Sequence, residues 1–328
     1  MQQDAISAVE LQQATATINN ILGYYNSKVV GQPFLGAAIL VSMMSNGHIL
    51  MESVPGLAKT TAAKVMTDAV NGTFSRIQCT PDLIPSDIIG TQIYNAMTNS
   101  FENKLGPVYA NFVLLDEINR SSAKTQSAML EAMQEHSVTI GGQNYKMPDV
   151  FVVIATQNPI EQEGTYVLSE AQLDRFLLKV KLDYPNPACE MEILNRIENG
   201  TLSDSRAVAS MQDMVFLQNL RKRVYVDNAI KKYIVDIVQA TRNVDKLLPP
   251  ELAQYVRMGA STRAAITFME AAKAVAIING RGYCTPDDVK TIRYAVLGHR
   301  ISLNFAAIAD GVTEEQIIDA IIGVVPTP

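Results

Sequence analysis

Five short apolar runs punctuate the first part of the chain: His48–Met51, Phe74–Cys79, Phe112–Leu115, Phe151–Ala155 and Phe176–Leu182. Bounded by polar turns, such runs fit strands buried on both faces. Helix-patterned stretches, for example Lys59–Val70 and Ser121–Glu135, lie between them. Strands that alternate with helices need crossover connections, which means an α/β fold built on a parallel sheet. One stretch reads differently. In Val138–Tyr145, two β-prone runs flank Gly141-Gly142, a hairpin signal just before the Phe151 strand.

The pattern changes after Asp183-Tyr-Pro-Asn-Pro187, where two prolines stop helix and strand alike. Beyond it the chain reads as helical. Ile230, Tyr233, Ile234, Ile237 and Val238 fall on one helical face, and Thr262–Ile278 is an Ala-rich helix. Thr285-Pro286-Asp287-Asp288 is a helix start, with an N-cap hydroxyl, an early proline and acids at the positive dipole end. Charge divides at the same place. Residues 1–183 hold 11 basic and 17 acidic side chains, whereas residues 184–328 hold 16 of each. The expected domains are therefore 1–185 and 186–328.

Several classes are excluded. The net charge of −6 disfavours a generic basic nucleic-acid binder. Cys79, Cys189 and Cys284, like His48, His136 and His299, are too scattered for a disulfide framework or a zinc motif. All six read as structural or incidental. No Lys or Arg precedes Lys28, so no signal peptide is expected. Phe34–Met44 is far short of the roughly 20 residues that span a bilayer. The expectation is a reduced, cytoplasmic protein without membrane insertion.

The chemistry-bearing residues come in order. Met51-Glu-Ser-Val-Pro-Gly-Leu-Ala-Lys-Thr-Thr61 has the architecture of a phosphate loop, a strand leading through Pro55-Gly56 into a helix opened by Lys59-Thr60. Backbone N–H groups of Ser53, Val54, Gly56, Leu57, Ala58 and Thr61 can wrap phosphates there. Lys59 would reach the β- and γ-phosphates, and the Thr60 hydroxyl would hold Mg²⁺. Alone, the stretch is equally a strand–turn–helix with a solvated lysine, since no Lys follows a Gly anywhere in the chain. Phe112-Val-Leu-Leu-Asp-Glu117 is an apolar strand ending in two carboxylates, a costly arrangement without a cation nearby. Asp116 fits a metal ligand and Glu117 the group that polarises the attacking water. Asn158 ends a further apolar strand, where its amide can orient that water. Arg175, in Leu173-Asp-Arg-Phe176, can serve as an arginine finger for a neighbouring subunit.

Taken together, these motifs resemble the AAA+ ATPases, and within them the MoxR family. The resemblance spans essentially the whole chain. It is carried most specifically by Asp116-Glu-Ile-Asn-Arg-Ser-Ser-Ala-Lys-Thr-Gln-Ser-Ala-Met-Leu-Glu-Ala-Met-Gln-Glu135, by Ala155-Thr-Gln-Asn-Pro-Ile-Glu-Gln-Glu-Gly-Thr-Tyr166 and by Glu170-Ala-Gln-Leu-Asp-Arg-Phe176. It implies an αβα nucleotide-binding core with an inserted β-containing segment (residues 82–111) and a hairpin, followed by an all-α lid. It further implies that Val30, Gly31 and Gln32 contact adenine, and that Arg263 is a sensor arginine of the lid. Arg120 belongs to the family pattern, but a salt bridge between subunits explains it as well as catalysis. Ser53 stands where the family usually has glycine, and is tolerated there only with a negative φ.

The implied function is hydrolysis of ATP to ADP and phosphate with Mg²⁺ in a ring, by resemblance a hexamer. Its clients are then proteins matured in a chaperone-like manner, with metal-cofactor insertion among the family's tasks. A von Willebrand factor A-domain protein is the implied partner. Two rivals stand beside this reading. One is a nucleic-acid motor, against which the acidic core and the uncharged hairpin speak. The Arg221-Lys-Arg223 cluster is expected to be a solvated helix face. The other is a nucleotide-gated scaffold with little hydrolysis, raised by Ser53.

Overall fold

A computed structural model describes residues 5–54, 56–159, 166–200 and 206–328. The chain forms two compact units. One comprises Thr17–Phe176 and Val180–Phe216, and the other Met1–Ala16, Leu177–Lys179 and Leu217–Pro328. The Pro-rich stretch after Leu182 does interrupt secondary structure, but the first compact unit runs on past it to Phe216.

Two helices, α1 (Ala8–Lys28) and α2 (Pro33–Met44), precede the first strand. The apolar Phe34–Met44 run is a buried helix, with Leu35, Ile39, Leu40 and Met43 fully enclosed. A helix apolar on all sides is what burial on all sides requires. Among the described residues no helix is long and apolar enough to cross a membrane.

The five expected strands form one sheet. They are β1 (Ile49–Ser53), β2 (Phe74–Gln78), β3 (Phe112–Asp116), β4 (Val152–Gln157) and β5 (Leu178–Leu182), in the order β2-β3-β4-β1-β5. Parallel ladders join β2 to β3, β3 to β4 and β4 to β1. Helix α3 (Lys59–Ala69) carries the chain from β1 towards β2, and α4 (Ala123–Glu135) follows β3. One core layer packs Leu50, Val113, Leu115, Val153 and Ala155 of the sheet against Met129, Leu130 and Met133 of α4. Each of these Val, Leu and Met side chains contributes about 1.5–3 kcal/mol by leaving water. The predicted hairpin is present, as Ser137–Ile140 paired with Gln143–Lys146. The inserted segment holds a short helix, Pro85–Ile89, and a second hairpin, Gly90–Asn95 with Ser100–Leu105.

His48 ties this core together. Its Nδ1 accepts the Val153 N–H at 3.0 Å, and its Nε2 lies 3.0 Å from the Met133 carbonyl, so Nε2 carries the proton. Burial pushes its pKa down to about 4. Between the ordinary value near 6.5 and about 4, the unfolded chain binds this proton and the folded chain does not. Acid therefore favours unfolding, by a total on the order of 3 kcal/mol. Urea midpoints should fall as pH drops from 7 to 4.5. His48→Gln should be weaker at pH 7 but should lose much of that slope; identical slopes would sink the assignment.

The second unit is helical, as expected, with one small ladder added, Val256–Met258 against Ser302–Leu303. Helix α6 (Asn228–Arg242) buries Ile230, Tyr233, Ile234, Ile237 and Val238, and packs on α7 (Thr262–Ile278). Thr285 caps the following helix, and the buried Asp288 accepts from Arg281 at 2.6 Å. The Arg221-Lys-Arg223 cluster is not a solvated face. Arg221 is buried and paired with Glu270, and Arg223 binds Glu10 at 2.5 Å. Two of its three charges are thus committed within the chain, which leaves little for a phosphate backbone.

Candidate nucleotide site

The sheet order reverses at β1, whose neighbours are β4 and β5. Ligands of open α/β sheets bind at such a switch point, outside the carboxyl ends of the strands. The loops after β1, β3 and β4 all leave from that edge. At the edge, Gln157 of β4 donates to Glu52 of β1 at 2.6 Å.

The loop after β1 leads into a helix start. Ser53 still belongs to the strand and is buried, with its hydroxyl donating to the Val54 carbonyl at 3.1 Å. It is not among the positive-φ residues, so glycine is not required there. The left-handed positions lie further on, at Gly56 (φ 87°) and Ala58 (φ 52°). For Ala58 that conformation costs about 1–3 kcal/mol, strain of a kind concentrated at functional sites. Ala58 is the N-cap of α3, and no side chain caps the helix. Helix geometry leaves the first-turn N–H groups without intrahelical partners, and Lys59, Thr60 and Thr61 form that turn. Pro55 lies outside the described residues, as do residues 160–165 of the motif that follows Asn158.

Beyond β3, Asp116 and Glu117 are splayed apart by the backbone. Asp116 ends the strand and is buried, while Glu117 adopts the left-handed conformation (φ 59°, ψ 53°). Thr156 of β4 holds both. Its hydroxyl donates to Asp116 Oδ1 at 2.8 Å and accepts the Glu117 N–H at 2.9 Å. The other Asp116 oxygen, Oδ2, accepts from Arg76 Nη2 at 2.7 Å. The Glu117 carboxylate accepts from Gln78 Nε2 at 3.1 Å and pairs with Arg120 at 3.2 Å. Arg120 therefore has a partner within its own chain. Asn158 is buried immediately after β4, and its carbonyl accepts from Asn119 Nδ2 at 3.5 Å.

A cavity of about 500 Å³ adjoins the loop, within the usual range for small-molecule sites. Val30 and Gln32 line it together with Gly56, Leu57 and Ala58. Gly31 between them has φ 78°, and a Cβ there would come within 3.2 Å of Cys189. Cys189 belongs to α5 (Pro187–Glu198), which supplies a further wall through Ile193 and Leu194. Sequence reading missed this wall, as well as Arg76, Gln78 and Thr156.

Arg175 lines a different cavity, of about 640 Å³, with Glu131 and Glu135 of α4 and Asn144 of the hairpin. The two cavities share no lining residue. Arg263 belongs to the other unit, in the exposed first turn of α7, where its charge opposes the helix dipole.

The family model for the ATPase family associated with various cellular activities (AAA) matches residues 48–178, and that for the AAA lid domain matches residues 252–321. Chaperone MoxR1 of Mycobacterium tuberculosis is 46% identical over 300 residues, covering 92% of this chain and 79% of that protein. The uncharacterised protein YeaC of Bacillus subtilis is 42% identical over 306 residues, 93% of each chain. Protein MoxR of Paracoccus denitrificans is 28% identical over 322 residues, covering 92% of this chain and 94% of that one. A crystal structure from Cytophaga hutchinsonii, of a protein provisionally described as an ATPase, superposes with a TM-score of 0.91 at 43% identity, covering 98% of this chain and 97% of that one. With its sheet order, its loop after β1 and its paired acids after β3, the chain belongs to the MoxR family of AAA+ ATPases.

Proposed function

We propose that the protein binds ATP with Mg²⁺ and hydrolyses it to ADP and phosphate in a ring, remodelling or maturing a client protein as it does so. The observation that carries this reading is the division of labour between Asp116 and Glu117. One threonine hydroxyl holds the first acid buried at the strand end and turns the second out through a left-handed residue. That is the arrangement a metal ligand and a water-activating base need.

The donor set fits a hard cation. Asp116 supplies a carboxylate and Thr60 a hydroxyl, and Mg²⁺ takes one or two such oxygens beside substrate phosphates. Mg²⁺ held by these residues would supply neutralisation of phosphate charge. The first-turn amides of α3 and Lys59 hold the phosphates, and the cavity beside Val30, Gly31 and Gln32 receives the base. Glu117 accepts a proton from the attacking water, and Asn158 orients that water. Arg175, on a separate cavity, acts on the nucleotide of a neighbouring subunit. Arg263 takes the sensing role of the lid, with residues 1–185 as core and 186–328 as lid. The chaperone-like role is supported by the name of the Mycobacterium relative, and a cytoplasmic location extends the proposal by family analogy. A hexameric ring, a von Willebrand factor A-domain partner and metal-cofactor insertion extend the proposal by family analogy.

Phosphate release tests it. Turnover per chain should need Mg²⁺, rise with protein concentration as rings form, and vanish in Lys59→Ala together with binding of a fluorescent ATP analogue. Turnover absent at every protein concentration would leave the scaffold reading. Turnover that appears only with nucleic acid, and that falls steeply with salt, would favour the motor.

A further inference from the structure

Arg76 is in the middle of β2, an edge strand, and its side chain is half exposed. The register explains where it reaches. Gln78 lies opposite Asp116, and Arg76, two residues earlier, projects from the same face of the strand. One nitrogen, Nη2, donates both to Asp116 Oδ2 at 2.7 Å and to Gln78 Oε1 at 3.1 Å. Gln78 passes the contact on, since its Nε2 donates to Glu117 at 3.1 Å. The amide can do this in only one orientation, and Arg76 sets that orientation. A single guanidinium thus holds one acid directly and the other through a glutamine.

We propose that Arg76 is a positioning residue that competes with the divalent cation for Asp116. It neutralises a buried carboxylate before the cation arrives, and it raises the cation concentration at which the site fills. The Asp116 side chain is only 12% exposed, so its charge needs a partner. A fixed positive charge on Oδ2 satisfies that need, and it repels a second cation approaching the same group. When Asp116 turns to the cation, Arg76 gives up Oδ2, and its hold on Gln78 and hence on Glu117 weakens with it. Occupancy of the metal site is thereby linked to release of the water-activating acid. This inference rests on the nucleotide-site reading given above.

The test uses Mn²⁺ as the probe, read by electron paramagnetic resonance in the full-length protein with a non-hydrolysable ATP analogue. Arg76→Met keeps the length of the side chain and removes its charge. It should bind Mn²⁺ about tenfold more tightly than wild type, the scale expected from removing one nearby charge at a partly screened site. Arg76→Lys keeps the charge and should stay near wild type. Arg76→Gln is a second neutral variant, should Arg76→Met fail to fold by circular dichroism. Equal or weaker Mn²⁺ binding in the folded neutral variants overturns the proposal and makes Arg76 a support for Asp116. Binding of a fluorescent ATP analogue with Mg²⁺ present separates the two levels. If wild type does not bind it, the nucleotide-site reading itself fails; if it binds and only the Mn²⁺ prediction fails, the Arg76 proposal alone is lost.

Discussion

Glu117→Gln should cut the rate of ATP turnover by about 10²–10⁴-fold, the range that a positioned general base supplies. Nucleotide affinity should stay close to wild type. The substitution keeps the shape of the side chain and an oxygen for Gln78 to donate to, while removing the group that takes the proton. The backbone that presents it is untouched, since the Glu117 N–H is held by Thr156. The loss should therefore fall on kcat. An interaction made only in the transition state lowers kcat and kcat/KM together. Phosphate release and binding of a fluorescent ATP analogue measure the two sides. Turnover within threefold of wild type would remove Glu117 from the mechanism and move attention to another base. The same variant, held in ATP, is the natural trap for capturing the client.

Arg175→Ala should have an effect of similar size for a different reason. An arginine that stabilises the charge developing on the transferred phosphoryl group is worth about 10³–10⁵-fold. Arg175 lines a cavity that shares no residue with the one beside the phosphate loop, as a group acting between subunits should. Mixing then gives a decisive result. A chain with Arg175→Ala keeps Lys59, and a chain with Lys59→Ala keeps Arg175. Where they are neighbours in one ring, a complete site forms from two defective chains, and turnover should return in part. No recovery in a mixture shown by sizing to co-assemble would place the action of Arg175 within its own chain, or remove it altogether.

The parts legible in the sequence are those written locally. All five strands overlap the expected runs, but only β1, β3 and β4 carry the near-continuous hydrophobic signature of a strand buried on both faces; β2 and β5 are edge strands with exposed positions. Lys59, Asp116, Glu117 and Asn158 stand out as candidates because each stands at an element boundary, where an anion or a cation is the simplest reason for its presence. What escaped is created by register. Gln78 meets Asp116 only because β2 pairs with β3 in one alignment, and Thr156 meets both acids only across β3 and β4. The wall built by α5 was hidden in the same way. Its Ile193 and Leu194 follow the prolines at which the expected boundary was drawn, yet they line the cavity beside Gly56. Doubt about Ser53 came from motif comparison and ends in geometry, since the left-handed turn falls at Gly56 and Ala58. Arg221 misled for want of its partner, Glu270, which lies 49 positions away.

The packing of Cys189 against Gly31 has a practical use. Cys79 and Cys284 are buried, and burial pushes both thiols up to about 12, which keeps them from reacting as thiolates. Cys189 is partly exposed and stands in the first turn of the helix that walls the cavity. A maleimide dye would therefore settle on this one position without any engineered cysteine. Its emission would report, in real time, the filling and emptying of the pocket next to it.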